Sequence, residues 1–106
     1  MIEALTPAEF VRCRERGELW QLVDVRESWE VEIAGLDDAL CIPMGEIIAR
    51  LSELDADLPI AVLCHSGGRS MRVAEYLSGA GYTRVANISG GIDAWSTEVD
   101  PAIPRY

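Results

Sequence analysis

The sequence has no lysine and only one histidine, and its three cysteines, Cys13, Cys41 and Cys64, stand far apart. A lone histidine without a closely spaced cysteine pair completes no familiar zinc pattern, so no metal is expected, and no other cofactor either. An odd cysteine count in a small chain without a leader argues against a disulfide framework. The N-terminus offers no basic segment followed by an apolar stretch, so no signal peptide is read there. The longest useful apolar run, Ile60 to Cys64, falls far short of a bilayer's thickness. The expectation is a cytoplasmic protein that does not enter membranes. Positive charge is scarce too: 9 basic residues, all arginine, face 18 acidic ones, for a net charge of −9. Such a surface repels nucleic acid and anionic membranes. The company it leaves is small molecules, thiols or a basic patch on a partner protein, although acidity also serves solubility alone.

What is present fits one domain spanning residues 1–106. With 49% hydrophobic and 25% charged residues the chain is not of a disordered type. At this length roughly two-thirds of the unfolded surface is buried on folding, enough for a core without staples. Strand and helix signals alternate with no repeat or linker between them, which implies an α/β layer structure. Thr6-Pro7-Ala8-Glu9 carries a cap, a first-turn proline and a capping-box carboxylate, and the helix it starts is expected to end at Gly17. Leu19 to Asp24 reads as a buried strand. Ser28 is placed as the cap of a short helix through Ala34, and Ala39 to Ile42 as a brief strand stopped by Pro43. Glu46 to Leu54 has helical spacing, with Ile47, Leu51 and Leu54 on one face. Ile60 to Leu63 is apolar at every position, as central parallel strands are. A helix over Ser70 to Ala80, a last strand over Arg84 to Ile88 and a short helix from Gly91 follow. The tail, 100–106, is expected to lie irregularly on the surface. The whole predicts a largely parallel sheet of about five strands between two helical layers.

The informative segment is Cys64-His65-Ser66-Gly67-Gly68-Arg69-Ser70, between the most buried strand and a helix. Ligands bind at that edge of open α/β sheets. The two glycines let the backbone curl so that successive N–H groups converge. The following helix adds its positive dipole end and Arg69 a full charge. Cys64 opens the loop, so its sulfur is the natural occupant. A free thiol near ~8.5 is a few per cent thiolate at neutral pH, and a fall of one or two units makes it a competent nucleophile.

With its flanks, this segment resembles the rhodanese homology domain, and the resemblance covers nearly the whole chain. Leu22-Val23-Asp24-Val25-Arg26-Glu27 matches the family's early strand and Asp-Val-Arg-Glu motif, and Ala39-Leu40-Cys41-Ile42-Pro43 its short Ala-x-x-Ile-Pro strand. Val62 to Ser70 is similar to the active-site loop. Gly81 to Ile88 and Gly90-Gly91-Ile92-Asp93-Ala94-Trp95 match the closing strand and the Gly-Gly-x-x-Ala-Trp signature. The chain departs from the pattern at Gly35-Leu36 and Asp38, where many members carry a His-Ile pair and a glycine. The resemblance implies a sulfurtransferase in which Cys64 carries sulfur as a persulfide and Arg69 closes and polarises the loop. It also implies that His65, Ser66, Gly67, Gly68 and Ser70 form the cradle around the substrate. The implied donor is thiosulfate or another persulfide, and the implied acceptor is cyanide, a thiol or a sulfur-carrier protein.

Other residues are read more plainly. His65 is taken as an exposed loop residue, Asp24 and Arg26 as a structural ion pair, and Cys13 as core. Cys41 is read as a small buried cysteine, with the resolution of a persulfide into a disulfide as the alternative, and Trp20, Trp29 and Trp95 as core or half-buried packing. Two rival functions remain at this level. A phosphatase or arsenate reductase also uses a Cys–Arg loop, but phosphatases place five residues between the two where this chain has four. A sulfur-presenting interaction module with little turnover is the other.

Overall fold

The computed structural model describes residues 2–106. Its elements, in chain order, are β1 (Ile2–Leu5), α1 (Pro7–Glu15), β2 (Gln21–Asp24), α2 (Ser28–Ile33) and β3 (Leu40–Cys41). Two 3₁₀ segments, Met44–Glu46 and Ile48–Glu53, lead to β4 (Ile60–Leu63), α3 (Gly68–Gly79), β5 (Val85–Ile88) and α4 (Gly91–Glu98). All five strands pair in parallel in the order β1-β5-β4-β2-β3, which puts β4 in the middle. The expected α/β architecture is what the chain adopts.

Strand alternation divides the core. In β4, Ala61 and Leu63 face one layer with Phe10 and Cys13 of α1 and Ile92 and Trp95 of α4. Ile60, Val62 and then Cys64 face the other, with Val73, Ala74 and Leu77 of α3 and Ile47 and Leu54. Every residue of β4 and β5 is buried, and β4 accordingly reads as an unbroken apolar run, while β5 is broken only by Asn87. Phe10 anchors the first layer, meeting Trp20 and Trp95 edge-on at centroid distances of 5.9 Å each. Phe10→Ala is expected to cost about 3–5 kcal/mol, the usual range for emptying a buried aromatic site; urea unfolding checks this.

Several expectations need correction. The helix over Glu46 to Leu54 is two 3₁₀ turns, because Arg50 leaves helical geometry at φ −116° and ψ 20°. Ile47 and Leu54 are buried nonetheless, as the spacing implied. The cap of α2 is Glu27, whose amide donates to the Glu30 carboxylate at 3.0 Å while its carbonyl takes the Glu30 amide. β1 is an added edge strand; its half-buried pattern lacks the apolar run that marks β4. Trp29 is 59% exposed and Cys41 lies exposed in β3. The tail has no regular structure, as expected, but it is anchored. Ile103 is buried, Ser96 Oγ donates to its carbonyl at 2.6 Å, and Arg105 pairs with Asp93 at 2.8 Å.

Candidate active site

Cys64 follows the last residue of β4, at the carboxyl edge of the sheet's central strand. The chain reverses there into α3 through Gly67, whose φ of +115° is open to glycine and strained for other residues. That turn brings the Gly67 amide to 3.1 Å from Cys64 Sγ, to which it donates. Ser70, in the first turn of α3, sets its Oγ 3.2 Å from the same sulfur. Burial works against ionisation of Cys64, but hydrogen bonds from the Ser70 hydroxyl and from the Ser70, Gly67 and Ser66 amides outweigh it. The thiol is therefore held below its ordinary pKa. The sulfur sits at the floor of a cavity of about 350 Å³, walled by His65, Ser66, Gly68, Arg69 and Arg72.

The loop is held from behind by residues distant in sequence. The first amides of α4 donate to its carbonyls, Ile92 to Cys64 at 2.9 Å and Asp93 to His65 at 3.1 Å. Tying those carbonyls to α4 leaves the loop amides free to face the sulfur. Asn87, at the end of β5, links both walls: its Oδ1 accepts from Ser70 Oγ and its Nδ2 donates to Gly67 O at 3.2 Å. The Ser70 hydroxyl has a single proton, so Cys64 and Asn87 compete for it. As a thiol, Cys64 donates to Ser70; as an anion, it draws the proton toward itself.

Arg69 is not aimed at the sulfur. Its two terminal nitrogens each lie 2.7 Å from a carboxylate oxygen of Glu30, a bidentate pair. It borders the cavity and still acts on Cys64 through space. Glu30 also takes the Glu27 amide at 3.0 Å and the Tyr106 hydroxyl at 2.9 Å. The Arg69 hydrogen bonds, working against burial, hold its carboxyl at about 2. Since its folded pKa lies below the unfolded value, the pair's contribution is complete above about pH 4.5 and is lost as pH falls from there toward 2. Acid unfolding of Glu30→Gln is expected to show a shallower loss across that window, by on the order of 2 kcal/mol after allowing for Arg69's partial exposure.

Tyr106 itself packs at the rim, stacked on His65 at 4.2 Å and 11° and accepting from Arg26 Nη1 at 3.0 Å. His65 is thus half-covered rather than free. Asp24 and Arg26 form the structural pair anticipated, both side chains wholly buried and 2.6 Å apart. Of the candidate residues, the structure brings Cys64, Gly67 and Ser70 together and puts His65, Ser66 and Gly68 around the opening. Ser70 lies beneath the sulfur, wholly buried, rather than at the opening. Sequence reasoning missed Glu30, Asn87 and Tyr106, and it missed how Gly91 acts.

A larger cavity, about 430 Å³, lies off the sheet edge by Cys41, Pro43 and Arg50. Cys41, exposed in β3, has its thiol pushed up by partial desolvation and by the Asp24 carboxylate, so it is less ready to ionise than Cys64. Asp24 is register partner to both Cys41 and Leu63, which places Cys41 two strand spacings, about 10 Å, from Leu63. A Cys41–Cys64 disulfide needs that gap closed to under about 7 Å. Among the described residues no group of three or more histidine, cysteine, aspartate or glutamate side chains is placed to hold a metal. No helix among them is long and apolar enough to cross a membrane.

A cysteine at the carboxyl end of the central parallel strand, its sulfur met by an amide of the loop that follows, places the chain among α/β proteins with a cysteine-headed loop at the sheet edge. The rhodanese-like domain family model matches residues 6–98, and the chain belongs to that family. It is 40% identical over 82 residues to a sulfurtransferase of Allochromatium vinosum, covering 77% of each chain. It is 44% identical over 90 residues to the chloroplastic rhodanese-like/PpiC domain-containing protein 12 of Arabidopsis thaliana, covering 81% of this chain but only 30% of that longer one. The structure of a rhodanese-like domain protein from Staphylococcus aureus superposes with a TM-score of 0.84 at 30% identity, covering 92% of this chain and 95% of that one.

Proposed function

We propose that the chain is a sulfurtransferase that carries sulfur as a persulfide on Cys64. The observation that carries this reading is a buried sulfur at the carboxyl end of β4 with the Gly67 amide at 3.1 Å and the Ser70 hydroxyl at 3.2 Å, a setting that favours its anion despite burial. In the loading step the Cys64 thiolate attacks the outer sulfur of thiosulfate. The new Sγ–S bond forms as the S–S bond of the donor breaks, and the electron pair leaves with sulfite. In the second step an acceptor nucleophile (cyanide, a thiol or the thiol end of a sulfur-carrier protein) takes the outer sulfur, and Cys64 regains its electron pair as thiolate. Covalent catalysis of this kind divides one difficult transfer between two easier ones.

The same amides serve both states. They stabilise the thiolate before loading, and a loop built of converging N–H groups suits the anionic outer sulfur after it. Ser70 and Asn87 adjust to either, because one hydroxyl proton turns between sulfur and amide oxygen. Arg69, held by Glu30, forms part of the cavity wall. The reducing cytoplasm suits a cysteine that must return to thiolate each cycle.

Incubation with thiosulfate followed by intact-mass measurement tests the reading. The expected result is one added sulfur, about 32 Da, mapped to Cys64 and removed by cyanide as thiocyanate. An unchanged mass, or phosphate release from an aryl phosphate with no sulfur transfer, contradicts it.

A further inference from the structure

Seven arginines of the described residues pair with a carboxylate: Arg14, Arg16, Arg26, Arg50, Arg69, Arg84 and Arg105. In a chain with 18 acidic residues against 9 basic ones, an arginine left without such a partner is the exception. Arg72 is one. It stands exposed on α3, one turn beyond Arg69, and its side chain borders the cavity above Cys64. Its neighbour's charge is already committed, since Arg69 is held by both oxygens of Glu30 at 2.7 Å. The sulfur draws its own stabilisation from Ser70 and the loop amides, and among the described residues no carboxylate pairs with the Arg72 guanidinium. On its far side Arg72 borders an apolar trough of about 150 Å³ lined by Met44, Ile47, Ile48, Val73 and Tyr76. Apolar walls displace water from one side of the cation, which strengthens its attraction for a negative group.

We propose that Arg72 selects small sulfur acceptors bearing an anionic group, a carboxylate or sulfonate on a short carbon chain ending in a thiol. This deepens the sulfurtransferase reading and rests on it for the transfer step. With the anionic end at Arg72, the acceptor's thiolate attacks the outer sulfur of the Cys64 persulfide. The acceptor's S–S bond forms, the Cys64 Sγ–S bond breaks, and the electron pair returns to Cys64. The products are the acceptor persulfide and the Cys64 thiolate, with charge unchanged across the step.

Two measurements on the full chain test this and separate it from the parent reading. The first transfers sulfur from the loaded protein to 3-mercaptopropionate, 2-mercaptoethanesulfonate, neutral 2-mercaptoethanol and cationic cysteamine. Relative to wild type, Arg72→Ala is expected to lower kcat/KM about tenfold for the two anions and to leave the neutral thiol within about twofold. Arg72→Glu lowers the anions further and favours cysteamine, Arg72→Lys restores most of the preference, and added salt erodes it. An equal loss for all four thiols, or none, overturns the proposal. A preference for one anion alone assigns the headgroup. The second measurement needs no sulfur transfer: the rate of Cys64 alkylation by iodoacetate divided by that by iodoacetamide. That ratio falls about tenfold in Arg72→Ala if Arg72 recruits anions. If the persulfide never forms yet the ratio falls, the parent reading fails while anion selection stands. An unmoved ratio overturns the role of Arg72 however well sulfur is transferred.

Discussion

Cys64→Ser is expected to lose thiosulfate:cyanide sulfur transfer by at least about a thousandfold, because a serine hydroxyl neither ionises near neutral pH nor holds a sulfane sulfur. The substitution isolates chemistry from structure. Serine occupies nearly the same volume, and the Gly67 amide and Ser70 hydroxyl that lie 3.1 and 3.2 Å from Sγ offer its oxygen hydrogen bonds. Unfolding stability should therefore fall by only about 1–3 kcal/mol, since the buried hydroxyl keeps hydrogen-bond partners. A steady-state assay paired with urea unfolding makes the comparison. Activity retained by a folded Cys64→Ser protein would move the chemistry to another residue.

The second large effect comes from a glycine that touches no substrate. Gly91 opens α4 at φ +58°, and a Cβ there would stand 2.4 Å from the Cys64 carbonyl oxygen and 2.5 Å from that of His65. Those are backbone atoms, so nothing can rotate aside. Gly91→Ala must push α4 off the loop, breaking the amide bonds from Ile92 and Asp93 that hold the same two carbonyls. The expected cost is about 3–5 kcal/mol of stability, joining backbone strain to a clash with fixed atoms. Sulfur loading in whatever remains folded should fall about a hundredfold, as displacement of a reacting group by an ångström does. Gly17→Ala is the matched control. It also has positive φ, at +88°, but meets nothing within 4 Å, and it should cost only about 1 kcal/mol. Equal effects in the two variants would mean that contact with the loop plays no part.

These two residues mark the limits of what the sequence makes legible. The reactive loop is local: a cysteine, two glycines and a helix start fall within seven consecutive positions, so composition and order alone reveal the cradle. β4 is equally plain because burial on both faces forces an unbroken apolar run. The supports are not local. Glu30 lies 39 residues from the Arg69 it binds, Asn87 lies 17 from Ser70, and Tyr106 lies 76 from Glu30. Nothing at Glu30 distinguishes it from the other acidic residues until the fold puts α2 beside α3. Hence charge and proximity in sequence assign Arg69 to the sulfur, whereas the structure gives its guanidinium to Glu30. The tail is similar. Its prolines forecast irregular backbone correctly, but not that Tyr106 would stack on His65. β1 and the 3₁₀ segments escaped for a simpler reason. Three half-buried residues and one exposed at a sheet edge carry little pattern, and the α-helical spacing at Ile47, Leu51 and Leu54 gives no sign of the break at Arg50.

The account depends on backbone amides and one hydroxyl outweighing burial to favour a negative sulfur at position 64. The rate of Cys64 alkylation by iodoacetamide as a function of pH reads that balance directly. The account predicts a titration midpoint clearly below the ~8.5 of a free cysteine, moved upward by Ser70→Ala. A midpoint at or above that value, unaffected by Ser70→Ala, would contradict it.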